Sequence, residues 1–160
     1  RVRQRLEALT FSLMVPRRDA LDMVVRQPQL LMYQTESLAD NWAALQRLLG
    51  VTFETALAMV VRQPNLLCKS PASLASKVAA LEATFALPRA RAVLLVVGRP
   101  ALLTMSDKRF KRQHRFLSSL IPLPPAALGR LVCREPSLLM EQIAVLREKV
   151  SEAARLLGVS

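Results

Sequence analysis

The chain has 160 residues, enough for one domain with its own core, and 52% of them are apolar against 22% charged, which excludes a disordered chain. Lys and Arg number 23 and Asp and Glu 12, a net charge of +11 that attracts polyanions, nucleic acid first and an anionic membrane surface second. No apolar run approaches the roughly 20 residues that span a bilayer; the most apolar, "AVLLVV" (92–97), is bracketed by Arg91 and Arg99.

Aromatic residues make up 4% and glycines number four, so Leu, Val and Ala must fill the core. These are mostly helix formers, and the expected fold class is all-α. In chain order, Leu6, Leu9 and Leu13 come first at helical spacing. Pro16 then opens a first helix of about three turns, since a proline in the first turn has no N–H to lose. Pro28, in "VVRQPQLL" (24–31), ends it, because proline disfavours α geometry at the residue before it. A short 3₁₀ turn is expected over Pro-x-Leu-Leu, followed by a longer second helix that Gly50 closes.

The same order then recurs. "VVRQPNLL" (60–67) repeats the octet with one change, "VVGRPALL" brings Pro100, and "LVCREPSLL" brings Pro136, so Pro28, Pro64, Pro100 and Pro136 stand 36 residues apart. Ten residues after each come Leu38, Leu74, Phe110 and Leu146, and seventeen after come Leu45, Leu81, Leu117 and Ala153. Twelve before come Pro16, Thr52, Pro88 and Pro124. Ser70 and Ser106 are placed as N-caps of second helices, with Pro71 at the first helical position. Gly158 repeats the closing role of Gly50, and Pro122 takes that slot in the third unit. A helix pair cannot bury its leucine stripe alone but can when stacked. The prediction is an α-solenoid: a partial repeat at 1–15, then repeats at about 16–51, 52–87, 88–123 and 124–160. Because the chain opens on Arg1 inside a repeat, it is expected to be part of a longer protein.

This register resembles the mitochondrial transcription termination factor (mTERF) family, whose motif sets a proline before leucine-type residues in heptad steps. Here the steps are Pro28-Leu31-Leu38-Leu45, Pro64-Leu67-Leu74-Leu81, Pro100-Leu103-Phe110-Leu117 and Pro136-Leu139-Leu146-Ala153, covering nearly the whole chain. The resemblance implies a left-handed superhelix of triangular units, each two α-helices plus a 3₁₀ helix. It also implies residence in mitochondria, with the chloroplast as alternative, and nucleic-acid binding along a basic groove in transcription, splicing or ribosome assembly. The family has no catalytic residues.

Two sets of bases are the candidate contacts. Arg26, Arg62 and Arg134 lie two residues before a repeat proline, and Arg99 lies one before. They suit a helix C-terminus, and stacking would set them in a row about 10 Å apart that can follow a phosphate backbone. The second set lies in "SDKRFKRQHRF" (106–116). Lys108, Lys111, Arg112 and Arg115 share one helix face by their spacing, with Arg109 beside them. The matching sites in the first unit are Glu36, Ala39, Asp40 and Ala43, so this cluster stands outside the repeat template. It also puts cations in a helix's first turns, against the dipole.

His114, the only histidine, aligns with Trp42, Val78 and Val150 and is read as a part-buried core residue. Cys68 and Cys133 form no CxxC pair and are read as buried free thiols. No metal site, cofactor, nucleophile or acid/base pair can be assembled, so no enzyme and no small-molecule substrate are expected. Tyr33 and Trp42 are the only Tyr and Trp, too few for base-by-base stacking on single strands. Structured RNA, ribosomal RNA specifically, is therefore favoured over duplex DNA, with ribosomal proteins as further partners. A protein-interaction scaffold is the competing class.

Overall fold

The computed structural model describes residues 2–157, and among these every regular element is helical. In order they are α1 (Val2–Leu13), α2 (Arg17–Arg26), α3 (Thr35–Leu49), α4 (Phe53–Arg62), α5 (Pro71–Phe85), α6 (Arg89–Gly98), the single turn α7 (Ala101–Thr104), α8 (Asp107–Leu120), α9 (Pro125–Arg134) and α10 (Ile143–Leu157). Short 3₁₀ helices fill Pro28–Met32, Pro64–Cys68 and Pro136–Leu139.

The repeat proline ends each first helix in the same way. Gln27, Gln63, Arg99 and Glu135 precede it with φ between −132° and −138° and ψ between 74° and 78°. That is the displacement from α geometry that the proline ring imposes on its predecessor. The N–H of each still bonds four residues back, so the helix loses nothing before the break. The carbonyl of each then accepts from the N–H two residues beyond the proline, at 3.0–3.2 Å, and this bond starts the turn. Leu30, Leu66, Leu102 and Leu139 are buried from these turns.

Several expectations need correction. The third turn is α-helical, not 3₁₀; Ala101, the best helix former, stands there in place of Gln29, Asn65 and Ser137. Pro16, Pro88 and Pro124 sit just outside their helices as N-caps, and Pro125 takes the first helical position instead. Thr52, which breaks the proline pattern, caps α4 by accepting from the Thr55 N–H at 3.3 Å. Ser70 and Ser106 cap α5 and α8 as expected.

Gly50 ends α3 in the left-handed region (φ 61°), and the same slot is left-handed at Met14 (φ 53°) and Ala86 (φ 48°) despite their side chains. The N–H groups of Val15 and Leu87 reach back five residues, to Thr10 and Glu82, which closes those ends. Pro122 cannot take a positive φ, so α8 stops at Leu120 with Ile121 extended. Gly158 lies outside the described residues.

Second helices α1, α3 and α5 stack on one another, first helices α2, α4 and α6 form a parallel layer, and the turns pack between neighbours as a third. The core runs through all of them, with Leu38, Leu45, Leu74, Leu81, Leu117 and Leu146 buried as the register requires. Aromatic contacts tie the seams: Trp42 meets Phe53 edge-on at 5.5 Å, and Phe85 meets Phe110 and His114 at 6.0 and 5.4 Å. On α10 the register weakens. Ala153 is exposed, and Val150, at the Trp42 position, is 39% exposed.

The last seam is built differently. α9 packs chiefly on α5, not on α6. Gly129, in the middle of α9, permits this: a β-carbon there would collide with the Phe85 carbonyl oxygen and stand 3.0 Å from Leu87 Cδ2. The corresponding residues in earlier repeats are Leu21, Leu57 and Val93.

Candidate nucleic-acid interface

α8 presents three distinct sides. Leu117 is buried, with Phe110 and His114 half-buried beside it against Phe85. Gln113, 3% exposed, points along a second side and donates to the carbonyls of Leu138 (2.7 Å) and Glu141 (3.2 Å) in the next repeat. Lys108, Lys111, Arg112 and Arg115 make the third side, all exposed and without an ion-pair or side-chain hydrogen-bond partner among the described residues. Four unpaired cations on one helix face repel one another. Their cost at the helix start is offset in part by Asp107, whose carboxylate pairs with Lys77. The Lys77 ammonium holds the Asp107 pKa below the usual carboxylate value, by hydrogen bond and by charge, with Lys111 adding to it.

Arg109 departs from this ridge. Its guanidinium donates to the Met140 carbonyl at 2.8 Å and so ties α8 to the fourth repeat. With Arg112, Gln113 and Glu141 it lines a groove of about 510 Å³ between α8 and the start of α10.

The four arginines of the repeat joints do not serve alike. Arg62 donates to the carbonyls of Val97 (2.7 Å) and Gly98 (3.4 Å), covering the negative end of α6, and its Nε reaches Ala58 (3.3 Å). It is therefore tied to the seam while still exposed, and its neutral acceptors leave its charge uncompensated. Arg26, Arg99 and Arg134 are exposed. Arg134 faces a cleft shared with Arg91 and Arg130.

A repeated polar position escapes any search for identical residues. Arg5 donates to the Leu31 carbonyl (2.7 Å), Asn41 to the Leu67 carbonyl (2.8 Å) and Gln113 to the Leu138 carbonyl. The donors stand in the 36-residue register, yet only their shared ability to donate could have revealed them. Lys77, the fourth of the set, turns to Asp107 instead.

The remaining titratable groups belong to the packing. Burial lowers the His114 pKa, and its Nε2 lies 3.3 Å from the Ser118 hydroxyl. Burial pushes the Cys68 thiol up, with the Tyr33 hydroxyl beside it pulling the other way. Trp42 is buried. No group of three His, Cys, Asp or Glu among the described residues could hold a metal ion, and no single helix there is long and apolar enough to cross a membrane.

No curated protein matches the sequence. A family model, mTERF, matches residues 1–153. A stack of helix pairs broken at a periodic proline, with cations gathered on one second helix, thus agrees with a match over nearly the full length: the chain belongs to the mTERF family of organellar, nucleic-acid-binding helical-repeat proteins.

Proposed function

We propose that this protein binds structured RNA, ribosomal RNA in particular, through the ridge of Lys108, Lys111, Arg112 and Arg115, as a non-catalytic factor associated with ribosomes or their assembly. The observation that carries the reading is the ridge itself: four exposed, unpaired cations where the sibling helix α3 has Glu36, Ala39, Asp40 and Ala43. Asp107 at the helix start offsets them only in part, and a phosphate backbone would supply the rest. Trp42 is buried, which leaves the exposed Tyr33 as the one Tyr or Trp at the surface and favours recognition of shape and backbone over stacking on a run of splayed bases. Ribosomal proteins are the further partners of this reading, and the mitochondrion is its organelle, with the chloroplast as alternative. A fluorescent fusion of the full-length protein locates it.

The test is binding of the isolated chain to structured RNA, single-stranded RNA and duplex DNA across a salt series. Tight binding of structured RNA with a steep salt slope is expected. Replacing the four ridge cations with Gln should flatten that slope by about 3 in log–log terms. A preference for duplex DNA would transfer the ridge to a transcriptional role. Absence of binding to all three at low salt would overturn the reading and leave a protein-interaction scaffold.

A further inference from the structure

α6 and α9 contain Arg89, Arg91, Arg130 and Arg134 and not one Asp or Glu. The first helices before them carry acidic residues: α2 sets Asp19 and Asp22 against Arg17, Arg18 and Arg26, and α4 sets Glu54 against Arg62. Arg89 is accounted for, since it pairs with Glu82 (3.0 Å) and donates to the Leu48 carbonyl (2.6 Å). Arg91, Arg130 and Arg134 are exposed and have no such partner among the described residues. They face one cleft of about 420 Å³, lined between them by Leu87, Ala126 and Cys133.

The cleft follows from how the last seam is built. Gly129 lets α9 close onto the end of α5, and Pro122 denies α8 the left-handed ending found at Met14, Gly50 and Ala86. α9 therefore stands off α6, and the gap is walled by cations. Elsewhere in this chain Arg5, Arg62, Arg89 and Arg109 each find a carbonyl or a carboxylate across a seam, whereas Arg26 and Arg99 stand exposed and apart from one another. Three guanidiniums turned to one space without an acceptor repel one another and give the fold no compensating bond. An anion would supply it. Guanidinium presents paired donors that match phosphate oxygens. The start of α6, capped by Pro88, borders the same cleft, so the positive end of the helix dipole adds to the field there.

We propose that the α6/α9 cleft is a phosphate-binding site, with Arg91, Arg130 and Arg134 holding either a diester of the bound polynucleotide or the monoester of a free nucleotide. It is separate from the α8 ridge, because the ridge lies on a second helix and the cleft between two first helices. It rests on the nucleic-acid reading only for the source of the phosphate.

Cys133 provides the reporter. Its thiol lines the cleft; burial raises its pKa and Arg91 lowers it. The intact chain is treated with uncharged iodoacetamide, and peptide mass spectrometry follows alkylation of Cys133 with Cys68 as internal control. Inorganic phosphate, AMP, a short single-stranded RNA and a structured RNA are added at matched ionic strength, with chloride as the blank. RNA binding is followed by anisotropy in the same samples. At least one phosphate ligand is expected to slow Cys133 alkylation several-fold while leaving Cys68 unchanged, and Arg91→Gln with Arg130→Gln is expected to remove that protection. Protection by phosphate or AMP assigns the free monoester; protection by RNA alone assigns the backbone. Saturating RNA binding with Cys133 reacting as in chloride, and no protection by phosphate or AMP, would overturn the site and leave the ridge standing. Protection by AMP without RNA binding would keep the site and overturn the RNA reading.

Discussion

Replacing Gly129 by Ala should destabilise the protein, although alanine is the better helix former. The added β-carbon meets the Phe85 carbonyl oxygen below van der Waals contact and the Phe85 Cβ at 3.1 Å. The carbonyl cannot swing aside freely, because Phe85 ends α5 and Ala86 after it is already held at φ 48°. α9 must retreat, and because the clash is with backbone the overpacking cost falls at the upper end of about 1–3 kcal/mol. Gly→Ala in a helix returns up to about 1 kcal/mol. The net loss is about 2 kcal/mol, or about 4–8 °C in Tm for a chain of this size. Gly98→Ala is the internal comparison: nothing lies within 4 Å of the place its methyl group would take, so that variant should melt at or slightly above the parent. Thermal unfolding by circular dichroism reads both. If Gly129→Ala melts with or above the parent, α9 does not approach α5 as described, and the account of the cleft falls with it.

Other consequences are equally direct. Ala86→Gly should raise the urea midpoint by an amount equivalent to about 1 kcal/mol, since a left-handed alanine is strained and this one is exposed; an unchanged or lower midpoint would refute the strain. Gln113→Leu leaves the Leu138 and Glu141 carbonyls without their donor and should lower stability by about 1–3 kcal/mol in the same assay. His114 has a folded pKa below its ordinary 6.5, so the unfolded chain takes up the proton first. Stability from this residue is full above 6.5 and is lost as pH falls below it toward the folded value. His114→Gln should therefore flatten the fall in Tm between neutral pH and about 5; a fall of the same steepness would show that another group causes it. Asp107 titrates lower, below 3.8, and does not enter this window.

The period was legible because proline acts locally. Pro28, Pro64, Pro100 and Pro136 each break a helix whatever surrounds them, so the spacing of one residue type described the stack. Features that depend on contact between repeats were not legible. The left-handed ends at Met14 and Ala86 carry no glycine to announce them, because tertiary packing of the following helix overrides the local preference. Arg62 looked like a free cation from its neighbours in sequence, but its acceptors lie 35 and 36 residues away. Of the candidate site, the α8 cations were visible because they break the template, and the structure separates Arg109 from them through Met140. Arg91 and Arg130 were passed over because they occupy no recurring position; the missing acidic residues of α6 and α9 were the available signal.

The bonds from Arg5, Asn41 and Gln113 to the carbonyls of Leu31, Leu67 and Leu138 have a consequence for how such a chain can change. Every acceptor is main chain, present whatever side chain stands there, and the donor can be a guanidinium or a carboxamide. A substitution in one repeat thus demands no matching substitution in the next. Units joined in this way can drift apart, be duplicated or be exchanged while still fitting their neighbours, which leaves surfaces such as the α8 ridge free to diverge without loss of the stack.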